Sequence, residues 1–590
     1  MDSGSSHPGG RPAVLRTRRH RVLDLAVARA LRLPAGHHDH TLVRDVRVPM
    51  RDGVELLTDV YSPVGPSSGT LLLRTPYGRT GSVTLLTARY HATHGYLVVH
   101  QSCRGTAGSG GDFEPFSREV EDGADTVGWL REQPWFDGRF ALCGPSYLGF
   151  TAWAIMVDPP PELAAAVVAV AAHDNHQVVH QGGAFSLEAV LGLAESFDHL
   201  DDGTLGGILR LLTQRRRLRP GFEELPLVRI QDTLLRGSRA PFRAWLTATD
   251  PDDPVWRSVR LGRALDRVDV PVLLQEGWQD RFGEQMIEQY QRLRQRGVDV
   301  GLTIGPWTHV EFVHQGSGVA MAEALDWLAE HLGGAGNRHR PSPVRVFVTG
   351  AGEWRSLPAW PPATEEHVLH LQPGGGLAVD APPPGSPPST FVYDPADPTP
   401  AVGGRVINPQ RGGYRDNRGL ETRADVLTFT GSPLAAPLEV VGTPVVELVH
   451  RTDNPHADLF VRLCEVTADG RSTNLTDGFR RLGPDEAGAA TVRLRFEAVA
   501  HRFAPGTRIR LQVSGGAHPR FARNLGTDDD PATGTTLAPS HRAVHHGDGG
   551  CSRLVLPCTA GPRVPPGPPP PTPAVVSAPR AEGAPTTPGV

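Results

Sequence analysis

Phe140-Ala-Leu-Cys-Gly144-Pro-Ser146-Tyr147-Leu148-Gly149, followed by the apolar run Phe150 to Met156, reads as a short buried strand, a sharp turn bearing a serine, and a helix. A serine on such a turn stands at the carboxyl end of a sheet with its hydroxyl exposed, the arrangement of a nucleophile elbow. The general elbow is Gly-x-Ser-x-Gly, whereas here the second glycine comes one residue later. By pattern alone the stretch also fits an ordinary Gly/Ser turn.

Working outward, Val43 to Val48 and Val54 to Tyr61 read as strands around a turn at Asp52-Gly53, followed by a buried-type strand at Thr70 to Arg74. Tyr96 to Gln101 is another strand, and Val120 to Gln133 is helix-like. The alternation resumes with the strand Val270 to Gln275, the helix Glu284 to Arg296 and the strand Val300 to Ile304. Strand and helix in turn predict a mostly parallel α/β sheet, split into residues 41–172 and 266–337. The insert, 173–265, has helical periodicity at Leu187 to Ser196 and Leu205 to Arg215 and little strand signal, as expected of a helical cap. Residues 338–560 change to short β-rich segments separated by Gly and Pro, beginning at Val344 to Val348, as in a jelly-roll β-sandwich. Residues 1–40 are expected to be a disordered or weakly helical leader, and 561–590 a Pro-rich disordered tail.

A serine hydroxyl is a poor nucleophile without a base, so the elbow needs a histidine and a carboxylate to orient it. Asp280 lies just past one strand, in Glu276-Gly-Trp278-Gln-Asp280-Arg-Phe282, and His309 just past the next, in Ile304-Gly-Pro-Trp307-Thr-His309. The order Ser146, Asp280, His309 is the chain order of α/β-hydrolases, and that position sets His309 apart from the rest of the 25 histidines. Glu276 and Glu284 are the poorer orienters by position.

Composition narrows the classes. At 590 residues the chain has room for about three or four domains. A net charge of −5 leaves no global positive field for nucleic acid. All 59 basic residues are arginine, which excludes a catalytic or Schiff-base lysine. Five scattered cysteines without a Cys-x-x-Cys pair argue against a disulfide framework or zinc ribbon and fit a reducing cytoplasm. No apolar run approaches the ~18 residues of a membrane span, and Asp24, Arg29 and Arg32 interrupt the one stretch that faintly resembles an export signal. His176 and His180 share a helix face, but the glutamate of a zinc-binding His-Glu-x-x-His helix is missing, so neither metal nor cofactor is expected.

The order of short motifs resembles the cocaine esterase and Xaa-Pro dipeptidyl-peptidase family of serine hydrolases. The matching pieces include Val48-Pro-Met-Arg-Asp-Gly53, Arg74-Thr-Pro-Tyr77, Gln101-Ser-Cys-Arg104-Gly105, Trp135-Phe-Asp137-Gly138, Gly144-Pro-Ser146-Tyr147-Leu-Gly149, Gly277-Trp-Gln-Asp280 and Gly305-Pro-Trp307-Thr-His309. Asn474-Leu-Thr-Asp-Gly478 and Pro519-Arg-Phe521 extend the likeness into the β region. The shifted glycine after Ser146 is a feature of that family. The resemblance implies an α/β-hydrolase domain with an inserted helical cap and a C-terminal β-sandwich. It also implies Ser146 as nucleophile, His309 as general base and then acid, Asp280 as orienter, and an oxyanion hole from the Tyr77 hydroxyl and the Tyr147 backbone N–H.

By the same resemblance His176 and His180 are expected to line the substrate pocket, with Trp278, Phe282 and Trp307 either packing the core or touching substrate. Arg281, Phe282 and Gly283 follow Asp280 where amino-acid ester hydrolases of the family carry acidic residues, which argues against that subgroup. The expected activity is hydrolysis of a small ester or amide through an acyl-enzyme. Xaa-Pro dipeptidyl-peptidase or acyltransferase chemistry on the same triad is the alternative. A catalytically silent binding protein is the reading from another class, against which an intact triad speaks. No nucleic-acid or membrane partner is expected, and a homodimer is left open.

Overall fold

The computed structural model describes residues 13–200, 202–334, 340–408, 410–483, 486, 491–547 and 550–559. Its first layer is an eleven-stranded sheet: β1 (Val14–Leu15), β2 (His40–Pro49), β3 (Glu55–Pro63), β4 (Thr70–Thr75), β5 (Leu97–Ser102), β6 (Phe140–Pro145), β7 (Leu163–Ala169), β8 (Val272–Gly277), β9 (Val300–Gly305), β10 (Val344–Val348) and β11 (Glu353–Leu357). The spatial order is β1-β2-β3-β5-β4-β6-β7-β8-β9-β10-β11. From β5 to β10 every neighbouring pair is parallel, and the strands beyond are antiparallel at both edges. Every residue of β4, β5, β8 and β9 is buried, because crossover helices such as Glu119–Arg131, Tyr147–Met156 and Gly283–Gln295 cover the faces of the parallel part.

Three features depart from the sequence expectations. Strand β7, Leu-Ala-Ala-Ala-Val-Val-Ala, gave no strand signal because alanine favours helix. It is a strand here because its small side chains let the elbow helix approach the sheet centre. Strands β10 and β11 complete the hydrolase sheet instead of opening the β-sandwich: Val344 pairs in parallel with Leu302, and β11 folds back antiparallel on β10. Their alternating pattern is equally that of a sandwich strand, and only the pairing assigns them. Within the expected leader, β1 pairs with β2, and Arg18–Leu31 is a capped helix. Buried Arg16 holds Asp24 of that helix at 3.0 and 2.6 Å, and Ala28 and Leu33 pack on Tyr90. The first twelve residues of the leader and the expected tail lie outside the described residues.

The insert after β7 is helical, chiefly Asn175–Val179, Leu187–Asp198 and Gly203–Glu223. The C-terminal region is a β-rich domain with its own core, including Leu371, Leu459, Val461, Leu463, Leu511 and Leu554. It grips the loop that carries Asp280: Gln279 Nε2 donates to the Leu475 carbonyl at 2.8 Å, and Arg405 Nε to the Trp278 carbonyl at 3.0 Å. Arg405 also pairs with Glu284 and Glu497, so the loop sits on a buried ionic network.

Candidate active site

Ser146 closes β6 with φ 57° and ψ −123°, a left-handed backbone that strains a residue with a Cβ and is the mark of an elbow. Its N–H donates to the Ala169 carbonyl at 2.9 Å, anchoring the turn to β7. The glycines follow from close packing. A Cβ on Gly144 would come within 2.3 Å of Leu148 Cβ, and one on Gly149 within 2.5 Å of Ala171 Cβ. The second glycine stands at 149 because that is where the helix meets the chain beyond β7.

His309 opens the helix His309–His314, which a reciprocal capping box between Thr308 and Glu311 holds in place. Its Nε2 lies 3.1 Å from Ser146 Oγ and its Nδ1 2.6 Å from Asp280 Oδ2. Asp280 is fully buried, and its Oδ1 accepts the Phe282 N–H at 2.8 Å. An ionised Asp280 keeps the proton on Nδ1 and leaves the Nε2 lone pair facing the serine. Neither rival carboxylate reaches the histidine. Glu284 turns to Arg405 and to the Ala498 N–H. Glu276 accepts the N–H of Gly277 at 2.7 Å, while burial and the charge on Asp280 push its carboxyl well above the usual range and favour its protonated form. Cys143, near the serine in sequence, is buried and its thiol is pushed up to about 12, so no thiolate competes with Ser146.

Tyr77 follows β4 and lines the same cavity as Ser146 and Tyr147, with the Ser146 side chain and the Tyr147 backbone N–H among the groups acting on its hydroxyl. Burial raises its pKa, so the phenol stays neutral and able to donate. The side chain of Tyr147 points elsewhere: its hydroxyl donates to Glu119 at 2.8 Å, accepts the Phe116 N–H at 2.8 Å, and its ring stacks on Phe116 at 4.5 Å. Glu119 in turn pairs with buried Arg74 at 2.9 Å, so Arg74-Thr-Pro-Tyr77 fixes both tyrosines from one strand end. Arg104 pairs with Asp122 and Asp52, a structural link across the next turn.

These groups open on a cavity of about 240 Å³ whose walls are mainly apolar, including Phe116, Phe150, Val190, Leu193, Phe197 and Trp245. Of the five residues expected to touch substrate, Phe282 lines this cavity, its ring edge-on to His309 at 5.5 Å. The other four do not. His176 and His180 are absent from the cavity lining, although Asn175, Val178 and Val179 of the same short helical segment belong to it. Both imidazoles pack on Trp256, and their Nε2 atoms reach the carbonyls of Thr249 at 3.0 Å and Trp245 at 2.8 Å. Burial pushes His180 down to about 4, as suits a neutral ring tying the cap together. Trp278 packs on Trp360 and donates to the Phe347 carbonyl at 2.7 Å, and Trp307 packs between Phe312 and Trp354. Among the described residues no cluster of His, Cys, Asp or Glu is arranged to hold a metal. Sequence reasoning missed most of the cavity wall, including Arg281 and Ile407. The periodicity of Leu187 to Ser196 marked one wall as a helix but not the face it presents.

Two family descriptions match in succession: X-Pro dipeptidyl-peptidase (S15 family) over residues 52–311, and the X-Pro dipeptidyl-peptidase C-terminal non-catalytic domain over 337–555. The chain is 30% identical to cocaine esterase of Rhodococcus sp. (strain MB1 Bresler) over 577 residues, 88% of this chain and 99% of that protein. Among solved structures, an aminopeptidase from a marine-sediment Thaumarchaeota archaeon has a TM-score of 0.72 at 22% identity, covering 88% of this chain and 96% of that one. An α-amino acid ester hydrolase has a TM-score of 0.71 at 23% identity, covering 88% and 97%. At those identities the likeness is one of fold. The relative of 30% identity, spanning nearly all of its own length, carries the further conclusion that the chain belongs to the X-Pro dipeptidyl-peptidase (S15) and cocaine esterase family and is a serine hydrolase.

Proposed function

We propose that this hydrolase cleaves a small ester or amide by transferring its acyl group to Ser146 and then to water. The observation that supports this is the unbroken series Asp280, His309, Ser146 at 2.6 and 3.1 Å beside an apolar cavity, with the Tyr77 hydroxyl at the serine. As Ser146 Oγ bonds to the carbonyl carbon, His309 Nε2 takes its proton, and the Asp280 carboxylate stabilises the imidazolium. The carbonyl oxygen becomes an oxyanion between the Tyr77 O–H and the Tyr147 N–H. Collapse breaks the bond to the leaving oxygen or nitrogen, to which Nε2–H returns the proton. Water then repeats the sequence on the acyl-enzyme, with His309 as base, and releases the acid.

Among the described residues lining the cavity there is no carboxylate, so a free ammonium group of a peptide substrate meets no counter-charge from them. Esters are therefore expected to be better substrates than Xaa-Pro anilides. Acyl transfer to another alcohol differs only in the second nucleophile and is tested by adding one. All five cysteines are free, which supports a reducing compartment, the cytoplasm. No helix among the described residues is long and apolar enough to cross a membrane. Fluorophosphonate labelling of wild type but not of Ser146→Ala, with turnover of p-nitrophenyl esters, is the expected result. Equal labelling of both proteins would overturn the assignment.

A further inference from the structure

Arg281 directly follows Asp280 and lines the same cavity as Ser146 and His309. One end of its guanidinium donates to the Val178 carbonyl of the cap, while its Nε is buried without a hydrogen-bond partner. The carboxylates whose charge it feels are all engaged elsewhere. Asp280 holds His309, Glu497 is held by Arg520 at 2.6 Å, and Glu188 by Arg411 at 3.2 Å. Among the described residues none of them comes within ion-pairing distance of Arg281. Burial and the neighbouring Arg520 push its pKa down to about 10, which still leaves it charged at neutral pH. A largely buried cation without a counter-ion in an otherwise apolar cavity is costly unless something anionic sits beside it.

A second feature, further out, has the same sign. Between the cap helix Gly203–Glu223 and the β-rich domain runs an open groove of about 860 Å³ lined by Arg215, Arg216, Arg219, Arg411 and Arg415. Among its described lining residues the one acidic group, Glu223, is paired with Arg219 at 2.9 Å. A small pocket shares Arg215 and Phe222 with this groove, and Ala189, Leu193, Ser196 and Ile407 with the active-site cavity. In a chain of net charge −5 these arginines place local positive charge beside the small pocket, which is also lined by Glu188, paired with Arg411.

Resting on the serine-hydrolase reading above, we propose that the substrate is an anion: an ester or amide whose acyl chain ends in a carboxylate, bound by Arg281 and drawn in along the arginine-lined groove. Arg281 is then a specificity-determining binding residue for the reaction at Ser146.

The test compares two esters of nearly equal length, mono-p-nitrophenyl adipate and p-nitrophenyl heptanoate, by kcat/KM at low and high salt. Wild type is expected to favour the acid-tailed ester, more strongly at low salt, because the attraction is screened. In Arg281→Gln the ratio of the two kcat/KM values should fall roughly 10- to 100-fold, the worth of a charged hydrogen bond, mostly through KM for the adipate. Arg281→Lys, which keeps the charge, should recover part of the preference. Arg215→Glu with Arg216→Glu should lower the adipate on-rate and its salt dependence. A wild type that hydrolyses the heptanoate as well as or better than the adipate overturns the proposal without touching the serine assignment. So does an Arg281→Gln protein in which both esters lose the same factor. Failure of Ser146 to label with a fluorophosphonate removes the hydrolase reading underneath, and this inference with it.

Discussion

Replacing Tyr77 by phenylalanine tests the oxyanion site with the smallest change available. The hydroxyl faces the Ser146 side chain and the Tyr147 backbone N–H, while the ring packs edge-on against Tyr147 at 6.4 Å. Deleting one oxygen therefore leaves the ring contacts in place and removes one of the two donors proposed for the reacting carbonyl oxygen. Loss of one such donor costs about 10² to 10³ in kcat, or ~2.7 to 4 kcal/mol. KM should change little, because the donor contributes mainly once the oxygen carries charge. The stability cost should be small, about 1 kcal/mol for one lost hydrogen bond. Since burial raises the Tyr77 pKa above the ordinary tyrosine value of 10.0, the wild-type rate should also show no loss on this account as pH approaches that value. Steady-state kinetics on a p-nitrophenyl ester and thermal melts of the same preparation measure both quantities. A variant with near-normal kcat would refute the role, and one that is slow only because it is unfolded would show it in the melt.

Ser146→Ala and His309→Ala should each lower kcat by about 10⁶-fold with native melting curves, since nucleophile and base act as one unit. Asp280→Asn should cost about 10⁴-fold by spoiling the histidine tautomer, and a normal rate in that variant would mean another group orients the ring. Glu276 keeps in the folded state a proton that the unfolded chain releases near 4.5, so its contribution to stability is full below that pH and is lost as pH rises through the higher folded pKa. Melting temperatures across that range should fall for wild type and flatten for Glu276→Gln, and parallel curves would contradict the assignment. Gly149→Ala should cost about 1 to 3 kcal/mol in denaturant unfolding, because its Cβ would lie 2.5 Å from Ala171 Cβ.

Much of the sheet was legible because buried parallel strands are short apolar runs bounded by turns, as in Thr70 to Arg74 and Val300 to Ile304. What escaped was set by pairing partners, which local sequence does not name. Val344 to Val348 alternates like a sandwich strand, yet its neighbour is β9 of the hydrolase sheet. The leader helix carries exposed Val22, Leu23 and Leu25, and its fixed position depends on the Arg16–Asp24 pair and the contact with Tyr90.

The site divides along the same line. Ser146, Asp280 and His309 each stand at the end of a strand in a parallel sheet, so a reading of strand ends alone brings them to one edge, and the structure has them within 3.1 Å of one another in series. The cavity wall obeys no such rule. The family resemblance placed His176 and His180 at the pocket, yet both rings pack on Trp256 while Asn175, Val178 and Val179 of the same short helix line the cavity. Ile407 comes from the β-rich domain, and no motif near it marks a pocket. Chemistry that depends on topology can be read along the chain, whereas specificity that depends on which face a cap helix turns inward cannot. Arg281 belongs to both groups: its place beside Asp280 is fixed by the strand end, and the meaning of its charge emerges only when the carboxylates around it prove to be taken.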